Sequence, residues 1–561
     1  MSDARHDPIA AVRRRFERAR AARGAWETLW QECYEFALPP AQPSLRMRDA
    51  PGSAPPLLSS RLFDGTAPDA VDQLAASLLA RLTPPWSRWF GLAAGRDLAP
   101  DEQQKVGPEL EAIAETLQSH FDRSNFAVEI HQCYLDLAAA GTACLLFEEA
   151  PLGADSAFRF AAVPLAEAWL EEGARGRLDT VFRRTALRGE EFRTRFPKAA
   201  LDADAMRRIE AGEEVNVDVI EAVLPEPDDR EGFRYVALRD GGGAEIAADD
   251  GPLAEGRFQR SPFIAFRWLK APGEAYGRSP VMKALPDIKT ANKVVELVLK
   301  NASIAVTGIW QAEDDGVLNP ANIKLVPGSI IPKAVGSAGL TPLEAPGKFD
   351  VSQLVLEDLR ARIRHALMAD ALAQIDAPRM TATEVLERSA EMSRILGATY
   401  GRLQSELLTP LIQRGLAILR RRREIPDIVV DGRIVALQYR SPLAQDQAKE
   451  DARNVVSWIE MTSRLGPEAG AVVDGAAAGR WLARTLGVPA ELVKPAPQAG
   501  GAAPGADLAG LLGNAASALP ELADLLKSPG ALGALAPALA GSAAPPVGNK
   551  TGSTAEAADV A

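Results

Sequence analysis

Cysteine and histidine are scarce in this chain of 561 residues, which contains three cysteines and four histidines. An odd cysteine count, formed by Cys33, Cys133 and Cys144, rules out a framework of paired disulfides and is typical of a reducing compartment. The histidines are scattered, and neither HExxH nor CxxC occurs, which argues against a zinc site. We therefore expect no metal and no cofactor, and Cys133, at helical spacing from Ile130 and Leu137, is expected to be a small buried residue.

Long apolar runs are also absent. No stretch reaches the roughly 18 apolar residues that a membrane-spanning helix requires. Near the amino terminus, AVRRRFERARAARGAWETLW reads as a charged amphipathic helix and lacks the apolar region of a signal peptide. From these two absences we expect a soluble, intracellular protein that does not contact a membrane.

The sequence lacks the motifs of common nucleotide-binding and hydrolytic enzymes. There is no GxxxxGK[ST] phosphate loop, no GxGxxG after a strand and no GxSxG elbow. Two acidic clusters, at 227–229 and 313–315, have the composition of a nuclease metal site, but both lie in turn-like sequence, where aspartate is common for conformational reasons. A metal-dependent nucleic-acid-processing enzyme is therefore the weaker of two hypotheses developed below.

The charge balance restricts how the protein could meet nucleic acid. Charged residues make up 25% and hydrophobic residues 47% of the chain, and the net charge is −12. Tight phosphate binding depends on lysine and arginine, so this balance argues against a protein that wraps nucleic acid, but not against one past which DNA slides. The six arginines between Arg13 and Arg23 either contact phosphate or, as is more common, form a solvated helix face.

Apolar periodicity predicts a mainly helical α+β fold. Helices are predicted at 9–36, at 66–84, at 101–123 and at 126–140. After Gly141 the pattern changes to strands, at 142–149, 157–165, 177–187, 215–224, 233–248 with GGG as a hairpin turn, and 262–270. Because strands and helices do not alternate, we expect antiparallel pairing rather than a parallel sheet.

Two amphipathic helices flank a small module in the middle of the chain. Residues 279–303 and 351–372 each carry an apolar stripe, and the stretch between them is rich in glycine, proline and asparagine. This pattern predicts an antiparallel helix pair with the module at its tip. Pro286 either kinks the first helix or marks its first turn. The stripes either pack within the chain or pack against neighbouring copies in a ring, and composition does not decide between the two.

A sharply specified junction follows the second of these helices. In PRMTATEVLERSAEM, Pro378 ends the preceding segment, and Thr381 with Glu384 fits a capping box that starts a new helix. That helix is predicted to extend towards Arg423, far beyond the usual helix length, so a bend is expected. A short hairpin is predicted within 425–444, helices after 443, and a disordered Ala/Gly/Pro-rich tail from about 496.

Five stretches carry a resemblance through their order and spacing. They are LFDGTAPDAVDQLAASLLARLTPPWSRWFGL, SNFAVEIHQCYLDLAAAGTACLLFEE, LDTVFRR, YGRSPVMKALPDIKTANKVVE and MTATEVLERSAEMSRILGATYGRLQSELLTPLIQRGLAIL. With these stretches the chain resembles the portal, or head-to-tail connector, proteins of short-tailed, podovirus-type bacteriophages. The resemblance extends from about residue 10 to 460 and includes no catalytic signature.

The resemblance implies a portal fold that assembles as a ring, a dodecamer in the family. The implied parts are a wing at 1–278, stem helices at 279–303 and 351–372, a β-containing clip at 304–350, a tunnel loop and long wing helix at 373–442, crown helices at 443–495 and a tail at 496–561. The tunnel loop would project into the DNA channel, and stiff helices on both sides of it would explain the firmly specified junction.

The function implied is that of a non-enzymatic DNA channel at one capsid vertex, used in capsid assembly, genome packaging, head–tail joining and genome ejection. The implied partners are further copies of the chain, double-stranded DNA, the packaging terminase, a tail adaptor, and the major capsid and scaffolding proteins. The implied location is the virion, with the host cytoplasm during assembly. An acidic channel suits this role, because persistent lysine–phosphate and arginine–phosphate pairs would slow DNA passage.

Three groups of site residues follow from the implied architecture. The tunnel-loop candidates are Gln374, Arg379 and Met380, the stem-channel candidates are Lys289, Lys293 and Lys300, and the clip-interface candidates are Trp310, Leu318 and Ile323. For the three lysines the alternative is exposed solubility charge or pairing with Glu357 and Asp358 of a neighbouring copy.

Overall fold

The computed structural model describes residues 8–39, 61–85, 87–95, 97, 100–174, 176–199, 207–208, 211, 215–226, 232–240, 251–307, 310–312, 340–342, 349–369, 397, 399–426, 435–439, 442–464 and 472–485. The chain divides into two compact units. The first comprises Met1–Arg379 and Leu386–Asn454, and the second comprises Met380–Val385 and Val455–Ala561.

Ten α-helices and one π-helix are present in the described part of the chain, and all of the α-helices except α5 fall in stretches predicted to be helical. They are α1 (Pro8–Ala37), α2 (Thr66–Leu82), α3 (Pro100–Asp122), α4 (Phe126–Ala140), α5 (Gly189–Arg195), α6 (Pro280–Thr307), α7 (Phe349–Ala366), a π-helix (Gln404–Leu408), α8 (Thr409–Arg422), α9 (Pro442–Arg464) and α10 (Gly475–Thr485). The four predicted amino-terminal helices are confirmed. In α1 the apolar spacing that predicted the helix also fills the core, since Trp30 and Tyr34 are fully buried.

The described strands pair in antiparallel fashion, as predicted. They are β1 (Phe90–Ala94), β2 (Thr142–Glu149), β3 (Phe158–Val163), β4 (Ala168–Glu172), β5 (Leu178–Arg188), β6 (Asn216–Pro225), β7 (Phe233–Arg239), β8 (Ala254–Phe258), β9 (Phe263–Arg267), β10 (Trp310–Ala312), β11 (Leu340–Pro342) and β12 (Val435–Tyr439). The sheets have the orders β3-β2-β9, β4-β5-β6-β7-β8, β1-β12 and β10-β11.

The core of the first unit lies between the helices and the three-stranded sheet. Its largest apolar cluster joins α1, α4, β2, α6 and α8, with Trp30, Tyr134, Phe147, Leu285 and Leu416 as members. A smaller cluster packs the start of α1 against the five-stranded sheet. The helix pair formed by α6 and α7 is therefore attached to the same core as the amino-terminal helices.

Some elements differ from the sequence prediction. Of the stretch 425–444, predicted as a hairpin, residues 427–434 lie outside the described part, so the hairpin is not tested. The strand β12 pairs with β1, a pairing that was not predicted, and Val435 is opposite Ala94 and Tyr439 opposite Phe90. The helix predicted to end at residue 372 ends at Ala366, since Met368 takes a left-handed φ of 58° that breaks the helix. Pro286 lies inside α6, which starts at Pro280, so it is not in the first turn.

The long helix predicted from Thr381 is only partly described. Residues 370–396 lie outside the described part, so the capping box is not tested. From Tyr400 onwards the chain is helical and passes through the π-helix into α8, which ends before Arg423 at a left-handed φ of 61°. The irregularity expected in this helix is thus a π-helical turn.

The second unit is described at 455–464 and 472–485, which are the end of α9 and a turn followed by α10. Asp474 caps α10, because its Oδ1 accepts hydrogen bonds from the backbone N–H groups of Ala476 and Ala477 at 3.1 and 3.0 Å. These helices agree with the prediction of helices after 443. Within the described residues, no helix is long and apolar enough to cross a bilayer.

Candidate channel-forming helix pair

The helices α6 and α7 form an antiparallel pair. A guanidinium nitrogen of Arg362, near the end of α7, lies 2.9 Å from Asp287 Oδ1, near the start of α6. At the opposite ends of the two helices, β10 pairs with β11, with Trp310 opposite Pro342. The pair and the short β-ribbon have the arrangement that the sequence predicted for two helices with a module at their tip.

The two halves of α6 differ in burial. In the first half, Val281, Leu285 and Ile288 are buried in the main core. From Lys293 to Ser303, no side chain is buried. The second half of α6 therefore extends beyond the apolar core of the first unit, as far as the described residues show.

The same division is present in α7. Leu359, Ile363 and Leu367 are buried, whereas Leu354 is 71% exposed. Leu297, in the second half of α6, is 53% exposed. Both helices therefore carry exposed apolar side chains beyond the point where they leave the core, and interfaces cover side chains of this kind.

The three predicted stem lysines all have partners within their own chain. Lys289 Nζ lies 2.8 Å from Glu32 of α1. Lys293 Nζ and Lys300 Nζ lie 2.9 and 2.5 Å from the two carboxylate oxygens of Glu296, one helical turn away. Hydrogen bonds from Lys300 and then Lys293 lower the pKa of Glu296. These contacts occur on an isolated chain, so the role of the lysines in a channel stays a prediction.

The start of α6 is fixed by a close approach of two backbone segments. Ser279 Oγ accepts a hydrogen bond from Met282 N at 2.9 Å and donates one to the carbonyl of Ala139 at 2.8 Å. Gly277 N donates to Thr142 Oγ1 at 2.8 Å. A Cβ on Gly277 would lie 2.1 Å from the carbonyl oxygen of Gly141. The helix pair thus begins at a position that the α4–β2 junction defines tightly.

A polar network holds α6 and α7 at the point where they leave the core. We call it the polar latch and define it by Arg61, Phe63, Asp64, Asn292 and Arg360. Asn292 Oδ1 accepts hydrogen bonds from the backbone N–H groups of Phe63 and Asp64 at 2.6 and 3.1 Å, and its Nδ2 donates to the carbonyl of Arg61 at 2.9 Å. Arg360 Nε donates to Asp64 Oδ2 at 2.9 Å.

The chemistry of Asp64 reflects this network. Burial by itself would raise the pKa of the carboxyl group, but hydrogen bonds from Thr66 and Arg360 outweigh burial and lower the pKa. Asp64 is therefore a buried carboxylate that stays ionised and keeps its guanidinium partner. The sequence prediction did not include the polar latch. One available signal was Asn292, which is a polar residue between Ile288 and Val295 on the apolar stripe of α6.

The arginines of α1 serve the fold. Arg23 is fully buried, donates to the carbonyl of Ala168 at 2.9 Å, and lies 4.3 Å from the ring centroid of Trp169. Arg15 Nε donates to Glu171 at 2.9 Å. These two arginines bind α1 to the five-stranded sheet, so the arginine run is neither uniformly solvated nor uniformly available to phosphate.

Several predicted site residues lie outside the described part of the chain. They are Gln374, Arg379, Met380, Leu318 and Ile323, together with both acidic clusters at 227–229 and 313–315. Trp310 is described only as a backbone position in β10. Among the residues that the structure does describe, no three His, Cys, Asp or Glu side chains form a group able to hold a metal ion.

Comparison with known proteins gives consistent matches over most of the chain. The family model for bacteriophage head to tail connecting proteins matches residues 10–493. The chain is 26% identical over 504 residues to the probable portal protein of Bordetella phage BPP-1, covering 86% of this chain and 88% of that protein. It is 23% identical over 422 residues to the portal protein of Enterobacteria phage T3, covering 74% and 75%.

Solved structures also align with the chain. One of them is a chain from the neck of an empty GTA particle computed with C6 symmetry, with 12% identity, 73% of this chain and 91% of that chain covered, and a TM-score of 0.34. A TM-score at this level carries no argument about the fold. The family match therefore depends on the sequence comparisons.

Proposed function

The chain belongs to the family of bacteriophage head to tail connecting proteins and has the function of a phage portal protein, and from this premise we propose that copies of it close into a ring around a channel for double-stranded DNA. The ring is proposed to contain twelve copies, as the resemblance implied, and to occupy one vertex of the capsid. In that position it serves genome packaging, the joining of head and tail, and genome ejection.

The observation that carries the proposal is the helix pair of α6 and α7. One end of the pair, formed by the first half of α6 and the second half of α7, is fixed in the core. The other end, next to the β10–β11 ribbon, carries the exposed side chains of Leu297 and Leu354. Apolar side chains on projecting helices are stabilised when identical helices from neighbouring copies cover them, which a closed ring does for every copy. This supports the ring alternative for the ends of the two helices next to the β10–β11 ribbon, whereas their opposite ends pack within the chain.

The partners of such a ring are assigned by its parts. We propose that the β10–β11 ribbon and the residues between its strands form the surface for the packaging terminase and later for the tail adaptor, with Trp310, Leu318 and Ile323 as anchors. The segment with Gln374, Arg379 and Met380 is proposed to contact the passing DNA, and other surfaces to meet the major capsid and scaffolding proteins. Among the described residues, no contact favours the alternative of a metal-dependent nuclease.

Negative-stain imaging of the purified full-length chain tests the proposed function. We expect rings with a central hole wide enough for a double helix, and linear duplex DNA that stays intact on incubation with magnesium or manganese. A protein that stays monomeric at high concentration would refute the channel. Metal-dependent cleavage of the DNA by that monomer would support the enzyme hypothesis instead.

A further inference from the structure

The polar latch lies where the packing of α6 changes. Asn292 is on the core-facing side of the helix, four residues after Ile288, at a position where the stripe otherwise has apolar residues. Asn292 is buried, and from Lys293 to Ser303 no side chain of α6 is buried. The last fixed point of α6 before it projects is therefore a set of hydrogen bonds and not an apolar contact.

These hydrogen bonds attach α6 to one particular segment. The Asn292 side chain binds the backbone of residues 61–64 through two accepted bonds and one donated bond, with distances between 2.6 and 3.1 Å. A side-chain amide with both ends engaged has a single orientation, so it specifies the distance and angle between α6 and this segment. A leucine at the same position would bury as much area but would not specify the angle.

The second helix, α7, is attached to residues 61–64 by an ion pair. Arg360 of α7 donates a hydrogen bond from Nε to Asp64 Oδ2, and a second guanidinium nitrogen lies 2.8 Å from the same oxygen. The other carboxylate oxygen, Asp64 Oδ1, accepts a hydrogen bond from Thr66 N at 3.0 Å. A two-nitrogen contact between a guanidinium and a buried carboxylate is directional as well as attractive. Residues 61–64 therefore fix both helices of the pair at one level.

We propose, on the premise of the proposed function, that the polar latch sets the angle of the helix pair and thereby the number of copies that close the ring. In a cyclic assembly, the rotation between neighbouring copies determines the number of subunits. Each copy would contact its neighbours through the core-containing body of its first unit and through the projecting ends of α6 and α7, which belong to the same unit. If the angle between these two parts varied, the rotation per copy would vary too, and rings of several sizes would close.

Native mass spectrometry of assembled rings tests this proposal with Asn292→Ala and Asp64→Asn. The alanine variant leaves two backbone N–H groups and one carbonyl of residues 61–64 without their partner. We expect it to form rings still, with a several-fold larger fraction of rings that differ from the main subunit number. Asp64→Asn keeps an acceptor for Thr66 but loses the ion pair with Arg360, so it should shift the distribution in the same direction by less.

Thr290→Ala is the matched control. Thr290 is exposed, lies two residues from Asn292 on the same helix, and its Oγ1 donates to the carbonyl of Pro286 within α6 at 2.8 Å. It should leave the ring-size distribution unchanged. If both latch variants lower the unfolding midpoint but keep the wild-type distribution, the latch is only a stabilising contact and the proposal is wrong. Failure of the wild-type protein to form rings would instead refute the proposed function.

Discussion

Asp136 is an acid that the fold holds in an unfavourable environment. It lies on α4, and Tyr34 of α1, which is fully buried, donates its hydroxyl hydrogen to Asp136 Oδ1 at 2.8 Å. Burial raises the pKa of Asp136 to about 7, although the hydrogen bond from Tyr34 opposes the increase. No arginine or lysine is paired with this carboxyl group among the described contacts. Ionising it in the folded state therefore costs free energy.

This environment predicts a pH dependence of stability. Because the pKa of Asp136 is higher in the folded than in the unfolded chain, the folded state binds an extra proton between about pH 4 and pH 7. The stability that the protonated group contributes is complete below this range, decreases as the pH rises across it, and is lost once the pH has passed about 7. Asp136→Asn removes this titrating group. As the pH rises from 5 to 8, the free energy of unfolding of the variant should therefore increase by up to about 2–3 kcal/mol relative to that of the wild type.

The measurement is urea unfolding of both proteins at pH 5 and pH 8. The comparison of the two proteins at each pH cancels the contributions of all other titratable groups, because both proteins contain them. Parallel pH profiles for the wild type and the variant would show that Asp136 is not the acid responsible.

Individual buried charges are the part of the structure that sequence patterns predict least well. Arg15 and Arg23 belong to one arginine run, yet the first is half-buried at the sheet and the second is fully buried between aromatic rings. Arg414 is also buried and donates to the carbonyls of Phe147 and Arg260. What distinguishes these arginines is which distant carbonyls and carboxylates face them, and a local pattern contains no such information.

At the scale of elements, the junction between α4 and β2 positions the helix pair. Gly141 has a φ of 77°, and a Cβ there would lie 2.6 Å from both the Gly277 carbonyl oxygen and Ser279 N. Gly277 is equally confined from the other side, because a Cβ on it would lie 2.9 Å from Arg267 Cβ. Two glycines therefore allow the backbone before α6 to touch the backbone after α4.

Gly277→Ala should for this reason destabilise the first unit strongly. The added methyl group meets backbone atoms that cannot rotate away, so we expect a loss of at least about 2 kcal/mol in the free energy of unfolding, or no soluble protein. Gly256→Ala is the control, because a Cβ there meets Tyr235 at an ordinary 3.7 Å on the exposed edge strand β8. Equal stability of the two variants in chemical denaturation would contradict the close approach.

The elements with strong local patterns were predicted, and those that depend on distant partners were not. The helices α1 to α4 lie close to their expected bounds, because each carries a clear apolar period. Six strands also start close to where they were predicted, and these are β2, β3, β5, β6, β7 and β9. The short strands β4 and β8 were not predicted. The strand β1 and the pairing of β12 with it were missed, since each strand is short and its partner lies far along the chain. The π-helix was expected only as an unspecified bend, and it is where Glu406 reaches the buried Arg267, with a contact of 2.6 Å.

The candidate site was also predicted only where local patterns define it. The helix pair and the module between its ends were predicted from periodicity, and the family came from the order of several stretches. The partners of Lys289, Lys293 and Lys300, and the polar latch, were not predicted, because they depend on which segment faces α6. At the scale of the whole molecule, the feature on which the proposed ring depends is an exposed surface of α6 and α7. Which side chains form this surface is defined only in the folded chain.

That surface is the exposed apolar pair Leu297 and Leu354, and it makes a prediction about assembly. Replacing both leucines by glutamate should prevent ring formation, since closing each interface would bury charge against the apolar side chains of a neighbour. The monomer should keep its stability, because side chains that are 53% and 71% exposed contribute little to the core. Sedimentation velocity measures the first effect and thermal unfolding the second.

Leu152→Glu is the control for this surface. Leu152 is 88% exposed in the turn between β2 and β3, so its replacement places a glutamate away from the helix pair, with one added charge per copy against two in the double variant. Rings that form normally with Leu152→Glu but not with the double variant would assign the assembly contact to the helices. If the double variant forms normal rings, copies must associate through other parts of the first unit or through the second unit, and the projecting halves of α6 and α7 are free of subunit contacts. The channel would then need a different wall, because the helices could not lie side by side around the DNA.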